Sequence, residues 1–223
     1  MNRNIWFLLA FVAGVAAAGQ ARAEILPQTV AQAPAQAALD PQALAPRQEG
    51  EDMVLGLAAA PITIIEYASL TCPHCATFHS TSFPKIKEEY IDKGLVRFVY
   101  RDFPLDAAAL RAAMLARCSG PQRYFAFLDV LFRQQSVWAR GSLQQVQENL
   151  KRLARLGGFS DQGFDSCLAD KGVETAILEQ SLKGEREFKV SSTPTLIING
   201  QNHTGSVAFE ELDKLLKPLT GRS

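Results

Sequence analysis

The sequence predicts an α/β domain with a helical block set between its strands, and three observations predict it. "PITIIEYASL" (61–70) is β-branched and almost continuously apolar, the pattern of a strand buried on both faces. Residues 106–190 carry apolar side chains at three- and four-residue spacing, the period of helices packed on one side. "TPTLIING" (193–200) and "NHTGSV" (202–207) then return to strand character, with "NGQN" between them as a tight hairpin signal.

Taken in order, Pro61 opens the first strand, where a missing N–H is tolerated. Residues 73 to about 91 predict a helix interrupted or kinked at Pro84, because proline removes an intrahelical hydrogen bond. "LVRFVYRDFP" (95–104) alternates as a second strand. Four helices are expected next, over 106–119, 123–135, 142–157 and 173–190, punctuated by Gly120, Gly141, Gly157, Gly158 and Gly172. After the two closing strands, "FEELDKLLKPL" (209–219) reads as a final helix. There is no internal repeat.

The N-terminus has a different character. Arg3 precedes an uncharged apolar run from Ile5 to Ala18, and Ala21-Arg22-Ala23 follows as a small-x-small site. This is the layout of a secretory signal peptide cleaved after Ala23. The alternative, an uncleaved anchor, needs about 20 apolar residues to span a bilayer. Residues 24–51, rich in Ala, Gln and Pro, hold few large apolar side chains to offset their ordering entropy, so they read as a mobile leader. A short oligomerisation helix is the other reading, against which the four prolines argue. The folded domain is expected over 52–220. Losing residues 1–23 removes Arg3 and Arg22 and no acid, leaving 21 basic against 23 acidic residues and a net charge of −2. That balance attracts neither nucleic acid nor an anionic membrane surface.

The chemistry is carried by "TCPHC". A strand ending near Leu70 and a helix starting at Pro73 place Cys72 at a helix N-terminus, since proline is favoured at the first helical position. Exposed N–H groups and the positive end of the helix dipole favour a thiolate there, and His74 would add to the effect. Cys75, one turn further in, would be the resolving sulfur. A thiol with depressed pKa is a good leaving group and stabilises the dithiol form, so its disulfide is oxidising. Two alternatives compete: a zinc site using Cys72, Cys75 and His79, which lacks a fourth ligand, and a purely structural disulfide. In an exported chain Cys118 and Cys167 are expected to form a disulfide. Closing a loop of roughly 50 residues would stabilise the domain by up to ~4 kcal/mol. His79 and His203 are expected at the surface, Trp138 in a helical core, and Arg101 and Asp102 in surface ion pairs.

"IIEYASLTCPHC", "RDFPLD" and "VSSTPTLIING" resemble the thioredoxin-fold thiol oxidoreductases of the bacterial periplasm, the DsbA-like group, over about residues 52–220. The resemblance implies a thioredoxin-like fold with its helical insertion (about 105–190) between the second and third core strands. It implies that the Thr193–Pro194 bond is cis and faces the cysteines, where backbone groups of Thr193 would hold a peptide as an added strand. It also places an acid six positions before the first cysteine, where Glu66 stands, as a buried proton relay to Cys75; a strand-end acid paired with Lys or Arg is the other reading.

The function so implied is a periplasmic thiol:disulfide oxidoreductase that donates its Cys72–Cys75 disulfide to unfolded, newly exported proteins. A membrane quinone-linked, DsbB-like partner would reoxidise it. It would act as a monomer, with no cofactor or metal beyond the disulfide itself. The alternatives are an isomerase or reductase of the same fold, for which the variable residue before Pro194 leaves room, and a thiol-based chaperone or copper-handling protein.

Overall fold

Strand β3 (Ile62–Ala68) lies at the centre of a six-stranded sheet because both its faces are apolar and covered. The computed structural model describes residues 41–49, 51–204 and 208–221. The expected signal peptide and most of the expected leader lie outside the described residues. The sheet order is β1-β2-β4-β3-β5-β6. Here β1 is Arg47–Glu49, β2 Asp52–Leu55, β4 Val96–Asp102, β5 Thr195–Ile198 and β6 Gln201–Thr204. Only β3 and β4 pair in parallel, with Ile62 opposite Val96 and Ala68 opposite Asp102; the other neighbours are antiparallel. The parallel pair needs a crossover, which is helix α2 (Pro73–Ile86).

Two strands were not foreseen. The tail of the expected leader forms a short helical turn, α1 (Pro41–Leu44), and then β1, which pairs with β2 to extend the sheet beyond β4. The folded unit therefore begins before residue 52. β1 holds Arg, Gln and Glu, so its order comes from backbone pairing, to which a hydrophobic pattern is blind. Gly56 closes this corner with φ +95°, and a Cβ there would stand 2.4 Å from the Val96 carbonyl oxygen.

Helix α2 is not interrupted at Pro84. It runs through the proline to Ile86 and then widens into a π-helical turn over Lys87–Ile91.

Between β4 and β5 stand six helices: α3 (Ala107–Cys118), α4 (Pro121–Arg133), α5 (Gln135–Trp138), α6 (Leu143–Leu156), α7 (Asp161–Ala169) and α8 (Lys171–Phe188). Their starts are written locally: the Asp106 carboxylate accepts from the Ala109 N–H, and Ser142 and Gln145 form a capping box. Helix α7 was not predicted, because Gly163 and a mixed polar face blur its period; it carries Cys167. Trp138 is fully buried and donates its indole N–H to the Leu131 carbonyl at 2.7 Å.

The insertion is fastened to the sheet by buried ions. Asp102, expected at the surface, is 1 % exposed and accepts from Arg117 Nε of α3 at 2.7 Å. Arg117 Nη2 also reaches Gln180 Oε1 of α8. Arg101, likewise expected at the surface, is partly buried and paired with Asp52 at 2.8 Å and with the Tyr67 hydroxyl. Sequence periodicity marks both as strand-end charges; only the fold shows Asp102 met by helix residues and Arg101 by β2 and β3. Gly184 of α8 packs on Tyr67, where a Cβ would sit 2.4 Å from the ring, so α8 approaches β3 only because that residue is glycine. Asn199 (φ 46°) and Gly200 (φ 84°) make the expected two-residue hairpin between β5 and β6. Helix α9 (Phe209–Leu216) and a 3₁₀ turn, Lys217–Thr220, close the described chain.

Candidate redox site

The end of β3 delivers the chain to α2 through Ser69, Leu70 and Thr71. Cys72 is the N-cap, extended at φ −76° and ψ 119°, and Pro73 takes the first helical position. Thr71 Oγ1 donates to Asp106 Oδ2 at 2.7 Å. Gln135 of α5 donates its amide to both the Leu70 and Cys72 carbonyls at 2.9 Å. The insertion thus clamps both flanks of the cysteine turn. Gln135 carries no signal in the sequence, since its role depends on where α5 lands.

Both thiols are free in this structure. Cys72 Sγ lies 3.3 Å from the Thr193 carbonyl oxygen, and the Thr193–Pro194 bond is cis. The turn before β5 therefore faces the turn after β3, its antiparallel neighbour, and residues 72, 75, 193 and 194 come together from distant parts of the sequence. Pro73 and His74 are exposed.

The two thiols differ sharply in acidity. The Cys72 thiol is lowered to about 5, first by a hydrogen bond from the Cys75 thiol. Burial opposes this, while the Thr193 hydroxyl and the N–H groups of Cys75 and His74 assist it. By distance and angle that buried hydroxyl makes no hydrogen bond among the described residues, so its help is that of a nearby dipole and not of a formed bond. His74 thus reaches Cys72 through its backbone N–H, and the residue is exposed. The Cys75 thiol is pushed far up, chiefly by burial, and further by its bond to Cys72 and the charge of Glu66.

Glu66 is fully buried beneath the pair. Its Oε2 is 2.8 Å from His79 Nε2, while its Oε1 has no hydrogen-bond partner among the described residues. The alternative of a strand-end acid paired with Lys or Arg is therefore not what the fold makes. His79, expected at the surface, is buried and stacks on Phe132 with ring centroids 4.2 Å apart. The signal was available: residues 75, 78, 79, 82 and 86 share one face of α2, and all five are buried. His79 turns its Nε2 to Glu66.

Cys118 at the end of α3 and Cys167 in α7 are disulfide-bonded, with Cα atoms 6.2 Å apart across 49 positions of sequence. The bond lies within the insertion. His203 is half-buried on β6.

Comparison with known proteins gives a consistent result. Residues 48–218 match the family model described as thioredoxin. A Rickettsia typhi relative, named "Putative protein-disulfide oxidoreductase", is 37% identical over 177 residues, covering 77% of this chain and 64% of that one. The chain thus spans less than two thirds of that relative's length, as it does for the Rickettsia bellii counterpart at 65%. The crystal structure of Wolbachia pipientis alpha-DsbA1 is similar at TM-score 0.73 and 34% identity, over 78% of this chain and 93% of that one. BdbD from Bacillus subtilis shares the fold at TM-score 0.69 and 21% identity, over 80% and 97% of the two chains. With the insertion, the cis-proline turn and the CPHC helix start all in place, this chain belongs to the thioredoxin family and is a DsbA-like member of it.

Proposed function

We propose that this protein is a thiol:disulfide oxidoreductase that donates its Cys72–Cys75 disulfide to unfolded proteins after their export. One observation carries the reading: two thiols a single helical turn apart, one lowered to about 5 and the other pushed far up. The acidic sulfur is the better leaving group, and its thiolate stabilises the reduced form, so the disulfide is driven toward transfer.

In the reaction, a substrate thiolate attacks Cys72 Sγ. The Cys72–Cys75 bond breaks and Cys75 takes a proton, with Glu66 as the buried group that relays it. A second substrate thiol, as thiolate, then attacks the substrate sulfur of the mixed disulfide and expels Cys72 as thiolate. Two electrons pass from substrate to enzyme, and the redox group is the disulfide itself. Exposed apolar side chains flank the turn, Leu105 at 55% and Val137 at 66%, and suit an unfolded chain better than a small polar thiol. The backbone at Thr193 would pair with that chain as an added strand. Export by the N-terminal signal sequence and reoxidation by a membrane quinone-linked partner complete the proposed cycle, and Cys118–Cys167 stays oxidised throughout as a structural bond.

The test is the reduction potential of Cys72–Cys75, measured by equilibration in glutathione buffers with Cys118 and Cys167 followed separately. A value near about −120 mV, that of DsbA, is expected; a value near about −270 mV, the thioredoxin range, would make the protein a reductase.

A further inference from the structure

Further along α2 from the cysteine pair, beside His79, Phe83 and Pro84, lies a surface cavity of about 590 Å³. Its walls are mainly apolar, from Leu55, Phe83, Pro84 and Phe125 among others, and His79 forms part of its lining. His79 therefore touches two environments. Its Nε2 bonds Glu66 at 2.8 Å, and the residue is part of the cavity lining. Glu66 is 0% exposed and His79 5%, so the outward side of this buried pair is the imidazole. Packing fixes the ring in that role: Phe132 stacks on it, and Phe78, Phe83 and Tyr100 surround it at centroid distances of 4.9 to 5.9 Å.

A buried sulfur that must change protonation needs more than one acid beside it. The proton has to enter and leave, and Glu66 by itself ends in the core. We propose that His79 is a positioning residue for the Cys75 proton: it holds the Glu66 carboxyl in place and passes the proton between that carboxyl and solvent entering the cavity. The proposal rests on the donor reading above. When a substrate thiolate forms its S–S bond with Cys72, the Cys72–Cys75 bond breaks and its electron pair stays on Cys75 Sγ. That sulfur takes a proton through Glu66, His79 replaces the proton on Glu66, and water replaces it on His79. One proton and one electron pair are accounted for, with no further reactant. The titratable groups facing the pair are Cys75 on α2, Tyr100 on β4 and Tyr124 on α4, the two tyrosines both held protonated by burial. At the cavity rim stand Lys87, Asp92, Asp129 and Arg133.

The experiment mixes the oxidised full chain rapidly with a dithiol peptide between pH 5 and 9 and follows opening of the enzyme disulfide. His79→Gln keeps a hydrogen bond to Glu66 but cannot carry a proton. It is expected to slow the step about a hundredfold, the lower end for an acid–base group, flatten its pH profile and leave the Cys72 thiolate titration in place. In the Glu66→Gln background it should add nothing further. A wild-type rate and pH profile in His79→Gln would overturn the proposal. Wild-type protein alone supplies a second measurement, independent of how the variant folds: the step should slow in deuterium oxide, and an unchanged rate would overturn the relay. Wild-type protein that leaves the peptide dithiols untouched overturns the donor reading itself, a failure distinct from that of His79.

Discussion

The molecule holds two cysteine pairs, and their difference separates chemistry from scaffolding. Cys72 and Cys75 sit three positions apart at a helix start, share a hydrogen bond, and face the cis-proline turn that opens the neighbouring strand β5. Cys118 and Cys167 sit 49 positions apart and bond two helices of the insertion. A short spacing at a helix N-terminus makes the two sulfurs chemically unequal, which suits exchange. A long spacing closes a large loop, which suits stability. Position in the fold, more than the element sulfur, decides which pair can react.

The largest effect should come from breaking the first pair. Cys72→Ser is expected to abolish dithiol-peptide oxidation, whereas the Cys118→Ala/Cys167→Ala double variant keeps it. If the double variant loses activity while still folded, the division of labour is wrong. Next in size, the double variant should lose about 2–4 kcal/mol of stability in denaturant, the usual range for a bond closing a loop of this length. An unchanged midpoint would show that the insertion does not need the bond.

The pH dependence sharpens the contrast further. Cys72 has a pKa lowered in the fold to about 5 from an ordinary value of 9.0, so its thiolate stabilises the folded dithiol protein. That contribution is complete above the unfolded thiol's pKa and is lost as pH falls through about 5. Thermal melts of reduced protein, referred to oxidised protein, should therefore gain with pH from about 5 upward. A flat difference would mean that Cys72 is an ordinary thiol. The smallest effect is expected from Thr193→Val, which removes one of the helpers of the thiolate. It should raise the Cys72 pKa by less than about one, read by alkylation rate against pH.

Much of this was legible in the residues. The central strands, the CPHC helix start and the hairpin at Asn199–Gly200 each depend on neighbours in sequence, so local pattern reveals them. What sequence hid depends on distance. β1 is ordered by pairing with β2 and has no apolar period of its own. Helix α7 is blurred by Gly163. Asp102 is a buried anion only because Arg117 and Gln180 arrive from two helices of the insertion. Gln135 reaches the active-site turn from 63 and 65 positions away. His79 is the exception: its place one turn after Cys75 put it on the buried face, and its own polar side chain disguised that.

The most direct test is to titrate thiolate absorbance near 240 nm in the reduced protein, from pH 3 to 9, with Cys118–Cys167 left intact. The account predicts one thiolate appearing with a pKa of about 5 and no second across the range. A single transition near about 8.5, the ordinary cysteine value, or two transitions inside the range, would contradict the inequality of the two sulfurs on which the proposed function stands.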